Sequence, residues 1–342
     1  MDAFTDDSKL ISYNDLEYVA NITIGTPSIQ QFIIVPDTGS ANLWVADSSC
    51  QMNVFSDCAK KNLFQSSLSS TYKNDSTPWS IKYGDGSNAH GFLGIDSFTL
   101  GGKYENQLRI EGVTFGQATF VKGFAHDPAD GVLGLAFSAI SVHGVTPPVV
   151  AAIQQNLLDA PVFTVYMKSG GAHEGVPGGV VTYGSIDRNN CEPVIGYEPL
   201  SSASYWQFRM NGLSIANYSI SKRWEAISDT GTSFIGGPRR IVDTLADIAS
   251  ANYDDSNDVY FIDCAAKPPP IEIIIGHNIY TITAHNYIVE LAPKTCALAF
   301  FGADFGGFGP SWILGNPFIR EYCQIHDIGN KRIGFAASKA TI

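Results

Sequence analysis

Short apolar and aromatic runs alternate with glycine- and proline-rich breaks along this chain, at residues 19–24, 80–83, 92–100, 162–167, 180–183 and 271–275. Runs of this length, bounded by turn residues, read as β-strands, because a helix shows its period only over about ten residues or more. Two stretches break the habit. Val149, Ile153 and Leu157 follow Pro147 and Pro148, and Ile241, Leu245 and Ile248 follow Pro238, in both cases at helical spacing behind a proline that suits a first helical turn. The pattern predicts a mostly β chain with a few short helices, one in each half.

One stretch stands out. After the apolar residues 32–35 comes Pro36 and then Asp37-Thr-Gly-Ser, which places a carboxylate at a sharp turn beside a buried strand. A carboxylate there is costly to bury unless it is hydrogen-bonded or functional. By itself the stretch fits an Asx-type turn as well as a catalyst. A second copy, Ser228-Asp-Thr-Gly-Thr-Ser, changes that balance, and each copy is followed by an apolar pair closed by glycine: Val132-Leu133-Gly134 and Ile313-Leu314-Gly315. Each half has the size of one domain. The boundary is expected where Gly, Pro and Asn concentrate over residues 183–200, giving domains 1–190 and 191–342. Duplicated halves commonly pack about a pseudo-two-fold axis, as symmetric dimers do. Such packing would bring Asp37 and Asp229 face to face.

Composition narrows the function classes. Of 342 residues 44% are hydrophobic, which excludes a mainly disordered chain. No stretch approaches the roughly 18 continuous apolar residues of a membrane span. With 21 basic against 33 acidic residues the formal net charge is −12, which disfavours nucleic acid and anionic membranes as partners and permits, without demanding, an acidic workplace. Six cysteines can be six thiols or three bridges, and none has zinc-site spacing. The spacing favours bridges: Cys50 and Cys58 flank a short polar loop, Cys264 and Cys296 flank a Pro-rich segment and two strand-like runs, and Cys191 and Cys323 are left over. Sequons at Asn21, Asn74 and Asn217 lean, with the cysteines, towards a secretory route. The first residues lack the apolar core of a signal peptide, so a secreted chain is expected to have had its targeting segment removed.

Two carboxylates held close cannot both ionise cheaply, so one keeps a proton while the other is charged. The pair is then acid and base at once: the charged member takes a proton from a water between them, and the protonated member polarises a peptide carbonyl. No metal, cofactor or nucleophilic side chain is required. Thr38 and Thr230 could hold the carboxylates coplanar by reaching across the axis, and Ser40 and Thr232 by bonding outer oxygens.

The two Asp-Thr-Gly motifs, with Asp130-Gly-Val-Leu-Gly-Leu and Trp312-Ile-Leu-Gly, resemble the pepsin-like aspartic proteases over residues 18–336. The resemblance implies a bilobal β fold with an interdomain sheet, made with a prosegment ahead of the mature start. It implies a monomeric endopeptidase that cuts extended polypeptides at acidic pH, preferring bulky apolar residues around the bond, and is inhibited by pepstatin-type compounds. Tyr83, in Tyr83-Gly84-Asp85-Gly86-Ser87, matches the tyrosine of a mobile hairpin flap, and Trp44 the tryptophan that hydrogen-bonds it. Gly39, Gly84 and Gly231 match backbone positions that pair with substrate. Val35, Phe124, Val132, Tyr205 and Ile313 are expected as pocket walls, with ordinary core packing as the alternative. Secretion into a gut lumen or residence in a lysosome follows from the same resemblance. Asn21-Ile-Thr-Ile-Gly-Thr-Pro and Cys323-Gln-Ile-His-Asp-Ile-Gly are similar to intestinal digestive members from nematodes, for which haemoglobin or other dietary protein is the expected substrate.

The sequence departs from that family in four places. Pro36 precedes the first aspartate and removes a backbone donor. Asn316-Pro317 replaces an Asp-containing sequence, and a local carboxylate contact is expected to be lost. The bridge that often precedes the second aspartate is absent, so Cys191 and Cys323 are expected to pair between the halves. Asp85, with Ser87 two residues on, could attract a lysine side chain before the scissile bond, worth about 0–1 kcal/mol at an exposed site; a solvated hairpin tip is the alternative. Two competing functions are a binding protein that has kept the fold without turnover, which the intact Asp37, Gly39, Tyr83, Asp229 and Gly231 disfavour, and a carbohydrate-cleaving carboxylate pair, which the duplicated Asp-Thr-Gly does not support.

Overall fold

The computed structural model describes residues 6–303 and 309–341. Their packing forms two compact units, residues 6–9 with Val19–Pro161 and Leu10–Tyr18 with residues 162–341. The units part after Pro161, ahead of the 190/191 boundary expected from composition. The reason is backbone pairing: Val162–Met167 pairs with Glu174–Tyr183 on one side and with Tyr322–Asp327 on the other, so these strands fold with the C-terminal part of the chain.

In the first unit Gln30–Asp37 runs antiparallel to Glu17–Ile24 and parallel to Gly131–Gly134, which pairs in turn with Leu43–Ala46. That strand lies parallel to Leu108–Lys122, which pairs with Asn88–Leu100, and residues 22–24 meet residues 98–100 to close the circuit. Along Gln30–Asp37 burial alternates, with Phe32, Ile34 and Pro36 inside, as a strand with one face on a core requires. Pro36 is tolerated because the ladder to Glu17–Ile24 ends at Ala20↔Ile34, short of the position where its missing N–H would leave a gap. The helix Pro148–Gln154 starts with proline in its first turn, as expected, but stops before Asn156, whose φ is 55°, so Leu157 lies beyond it.

The second unit holds three ladders. Trp206–Ile215 pairs with Tyr218–Ser228 and Ile271–Ile275, the latter also with Asn278–Ile282, and Tyr218–Ser228 continues through Trp312–Leu314 and Ile235–Gly237 to Phe300–Gly302. Asn252–Asp254, Val259–Ile262, Thr295–Leu298 and Ile288–Ala292 make a second, and Cys191–Pro199 pairs with Arg332–Ser338, which pairs with Tyr322–Asp327, in a third. The helix Arg239–Ala249 buries Val242, Leu245, Ala246 and Ala249. Its inner face is therefore turned by one residue from the Ile241, Leu245 and Ile248 stripe expected from the sequence. Ala284–Tyr287 and Asn316–Glu321 are further helices, too short to show a period in the sequence.

Disulfides join Cys50 to Cys58, Cys264 to Cys296 and Cys191 to Cys323, leaving no free cysteine among the described residues. Both Cys191 and Cys323 belong to the second unit, so their bridge lies within it and not between the halves. It closes the strand Cys191–Pro199 onto its ladder and spans 132 residues, a loop long enough for chain-entropy arguments to assign it about 4–5 kcal/mol.

The core of the second unit contains a buried imidazole. His326 is fully buried, stacked on Phe163 at 4.4 Å and edge-on to Trp206 at 4.6 Å, with Nε2 3.4 Å from Ser228 Oγ. Among the described residues Nδ1 has no hydrogen-bond partner. Burial disfavours the charged ring and lowers its pKa from 6.5 to about 3. As pH falls below 6.5 the unfolded chain takes up this proton before the folded one, so stability drains away between about pH 6.5 and 3. His326→Phe should therefore raise the melting temperature more at about pH 4 than at about pH 7.5. Equal shifts at both pH values in calorimetry would contradict this assignment.

Candidate active site

Each Asp-Thr-Gly turn is built the same way within its own unit. The strand Gln30–Asp37 runs beside Gly131–Gly134 with Val35 opposite Val132 and Asp37 opposite Gly134, and Leu43–Ala46, which follows the turn, lies against the other edge of Gly131–Gly134. In the second unit Tyr218–Ser228 runs beside Trp312–Leu314 with Ile227 opposite Ile313, and Ile235–Gly237 takes the other edge. The apolar-apolar-Gly strand is thus wedged between the two arms of the turn. Backbone bonds lock it there: Leu135 N–H donates to Asp37 O at 2.7 Å and Gly134 N–H to Asn42 O at 3.0 Å, while Asp229 N–H donates to Leu314 O at 3.2 Å and Asn316 N–H to Thr232 O at 3.0 Å.

The closing glycines are needed for contact. A Cβ on Gly134 would lie 2.4 Å from Asn42 N, and one on Gly315 would lie 2.2 Å from Phe234 O and 2.3 Å from Thr232 O. Backbone cannot yield as a flexible side chain can, so any larger residue must push the turn aside.

Asp37 and Asp229 are buried, and each carboxylate accepts a backbone bond from the glycine two residues on: Gly39 N–H to Asp37 Oδ1 at 2.8 Å and Gly231 N–H to Asp229 Oδ1 at 2.9 Å. A charge-assisted bond of this kind favours the ionised form and fixes the plane of the carboxylate. Thr232 Oγ1 donates to Asp229 Oδ2 at 2.7 Å. Ser40, expected to do the same for Asp37, makes no side-chain hydrogen bond of good geometry among the described residues. Thr38 and Thr230 are buried in their turns.

Behind Asp37 stands an aromatic cluster. Trp44, Trp79, Phe124, Val132 and both cysteines of the Cys50–Cys58 bridge form one core, against which Val35 and Tyr83 pack. Trp44 Nε1–H donates to Tyr83 Oη at 2.7 Å, and Phe124 sits edge-on to both rings, at 5.4 Å from Trp44 and 6.3 Å from Tyr83. Burial, then the negative charge of Asp37, raises the Tyr83 pKa, while Trp44 and the Ser40 hydroxyl oppose the rise in part. The phenol stays neutral.

Tyr83 begins the turn between Lys73–Lys82 and Asn88–Leu100, closed by Tyr83 N–H to Ser87 O at 2.9 Å. Gly84 and Gly86 have open space where a side chain would be. Asp85 is exposed, but its Oδ1 accepts both the N–H and the hydroxyl of Ser87, at 2.9 and 2.7 Å. Those bonds make it a cap of the hairpin tip and favour that reading over recruitment of lysine.

The structure brings Val35, Phe124 and Val132 together with Trp44 and Tyr83 in one unit. In the other, Tyr205 and Ile313 are half-buried, Tyr205 before the strand Trp206–Ile215 and Ile313 in Trp312–Leu314. Three supports escaped sequence reasoning about the site. Asp130 anchors the strand carrying Asp37: it accepts from Ile33 N–H at 2.8 Å and from Asn62 N–H at 2.7 Å, and burial raises its pKa despite these bonds. Asn316 Nδ2 donates to Leu16 O at 3.1 Å and its own N–H holds the Thr232 turn, while its Oδ1 is buried without a hydrogen-bond partner among the described residues. Buried Arg320 is satisfied by the carbonyls of Asp15 and Asn286, at 2.9 and 2.7 Å, and by Asn286 Oδ1. Such partners are far away in sequence, and only the position of Asp130 inside the Asp-Gly-Val-Leu-Gly motif hinted at any of them. No group of three His, Cys, Asp or Glu side chains among the described residues is placed to hold a metal ion.

Residues 17–338 match the family model described as eukaryotic aspartyl protease. Aspartic protease 6 of Caenorhabditis elegans is 51% identical over 327 residues, covering 95% of this chain and 82% of that protein. Aspartic protease 2 of Necator americanus is 43% identical, covering 96% of this chain and 85% of that protein. Cathepsin E-B of Xenopus laevis is 37% identical, with 96% and 81% covered.

Gly134→Ala and Gly315→Ala should each destabilise their turn by about 1–3 kcal/mol and lower activity further than that loss of folded protein explains. Activity per folded molecule, measured beside thermal unfolding, checks this; wild-type specific activity in either variant would show that the wedge does not set the turn.

Proposed function

The chain belongs to the eukaryotic aspartyl proteases and is an aspartic endopeptidase acting on peptide substrates, and from that premise we propose that Asp37 and Asp229 are its catalytic dyad. The observation that carries this reading is the twofold occurrence of one construction: a buried carboxylate at the end of a strand, bonded to the N–H of the following glycine and wedged by an apolar-apolar-Gly strand. A fold that builds this costly arrangement twice fits two carboxylates that share a proton better than two turn caps.

The chemistry then needs only these residues and water. The ionised carboxylate takes a proton from water as the water oxygen bonds to the carbonyl carbon, and the protonated carboxyl donates to the carbonyl oxygen. The tetrahedral diol so formed passes a proton through the dyad to the amide nitrogen. Then the C–N bond breaks, leaving a carboxylic acid and an amine. Because one member must be ionised and the other protonated, turnover belongs to acidic pH. Gly39, Gly84 and Gly231 offer backbone to an extended peptide. Tyr83, steadied by Trp44, covers it and excludes water. Val35, Phe124, Val132, Tyr205 and Ile313 receive bulky apolar side chains.

An exported digestive role, in a gut lumen or a lysosome, on haemoglobin or other dietary protein, is supported by the three disulfides, which persist in oxidising compartments, and by the nematode relatives. No helix among the described residues is long and apolar enough to cross a membrane. A monomer made as a zymogen and inhibited by pepstatin-type compounds completes the reading.

Protein hydrolysis at acidic pH, with and without pepstatin, in the parent and in Asp37→Asn and Asp229→Asn, tests it. Each variant should lose roughly a thousandfold or more of kcat, and pepstatin should stop the parent. Digestion that persists in either variant would remove that residue from the chemistry.

A further inference from the structure

The three Asn-x-Ser/Thr triplets are equivalent as motifs and unlike as places in the fold. Asn21 lies in the strand Glu17–Ile24 with both ends of its amide engaged: Nδ2 donates to Glu105 Oε1 at 3.2 Å, and Oδ1 accepts from Gln31 Nε2 at 3.4 Å. The turn beside it closes over that amide. Gly102 N–H donates to Glu105 Oε2 at 2.8 Å, Lys103 N–H to Gln31 Oε1 at 2.9 Å, and a Cβ on Gly102 would meet Asn21 Cβ at 2.9 Å. Thr23, the hydroxyl residue of this triplet, is fully buried.

Asn74 and Asn217 are exposed, as are Ser76 and Ser219 two residues on, and neither asparagine makes a side-chain hydrogen bond among the described residues. Asn74 stands where the ladder between Lys73–Lys82 and Asn88–Leu100 is interrupted between Asn74↔Gly94 and Pro78↔Phe92, so the triplet bulges away from its neighbour strand. Asn217 is at the tip of the hairpin joining Trp206–Ile215 to Tyr218–Ser228, next to Ala216 at φ 49°.

We propose that the folded, exported protein carries N-linked oligosaccharide on Asn74 and Asn217 and none on Asn21. The co-reactant is an oligosaccharide bound to a lipid diphosphate, presented by a transferase. The asparagine Nδ2 forms a bond to the anomeric carbon and gives up one proton, and the lipid diphosphate leaves. At the two exposed sites the sugar projects into water and disturbs no bond. On Asn21 it takes the place of an amide N–H and needs the space held by the Glu105 carboxylate and the turn at residues 101–103. A chain modified there cannot close this corner of its sheet, so it drops out of the exported pool. Transfer and folding together select two sites where the motif offers three. The inference rests on the exported route and is independent of the protease chemistry.

The full chain, preceded by a signal peptide and secreted by a eukaryotic host, is deglycosylated by peptide N-glycosidase in 18O-labelled water and mapped by mass spectrometry. The proposal requires 18O-labelled aspartate at positions 74 and 217 and unmodified asparagine at 21. Asn74→Gln and Asn217→Gln should each remove one glycosidase-sensitive mass step, and the double variant should remove all of them. Label at position 21, a missing label at 74 or 217, or a residual glycan in the double variant overturns it. None of these readouts depends on catalytic activity.

Discussion

The bond from a glycine N–H to the carboxylate two residues before it is the constraint on which the rest of this structure depends. It is short, 2.8 Å at Asp37 and 2.9 Å at Asp229, and it forms only if the chain reverses tightly straight after a buried strand. That reversal would not hold by itself. The strand that ends in aspartate and the strand that leaves the turn are kept at fixed separation by a third, Gly131–Gly134 in one unit and Trp312–Leu314 in the other, whose following glycine lets backbone meet backbone. The apolar pair inside the wedge supplies hydrophobic burial, and the glycine supplies contact without a side chain. Neither could be exchanged for the other.

Rigidity at the turns contrasts with the hairpin tip in the first unit. Tyr83 is anchored by Trp44 and Phe124, whereas Gly84, Asp85 and Gly86 face open space and are held by Asp85 capping Ser87. The aromatic anchor and the Cys50–Cys58 bridge share one core, so the disulfide supports the tyrosine as well as its own loop. A hydrogen bond such as Trp44 to Tyr83 adds only about 1 kcal/mol net.

The sequence declared its strands through short apolar runs, and its two turns through repetition. Residues 162–167 and 271–275 coincide with observed strands because both are wholly apolar-rich segments with turn residues at each end. Where sequence reasoning fell short, a partner far along the chain is a recurring cause. The 190/191 boundary gave way because Val162–Met167 finds Tyr322–Asp327. The Cys191–Cys323 bridge was expected between halves and lies in one, tying the strand Cys191–Pro199 to Tyr322–Asp327 within the second unit. The helix Arg239–Ala249 turned its alanines inward, with Val242 and Leu245, against a surface that the local pattern cannot report. Pro36, conspicuous in the sequence, sits beyond the end of the antiparallel ladder to Glu17–Ile24 and opposite Leu133 in the parallel one. Ser40 and Thr232 looked interchangeable as hydroxyls, yet only the branched one meets its carboxylate.

The central claim, that Asp37 and Asp229 act on one bond, is tested most directly by a crystal structure of the protein with a pepstatin-type inhibitor, whose hydroxyl stands in for the attacking water. The account predicts that this hydroxyl lies within hydrogen-bond distance of carboxylate oxygens of both Asp37 and Asp229. A hydroxyl bonded to one of them alone, or an inhibitor bound away from both turns, would contradict it.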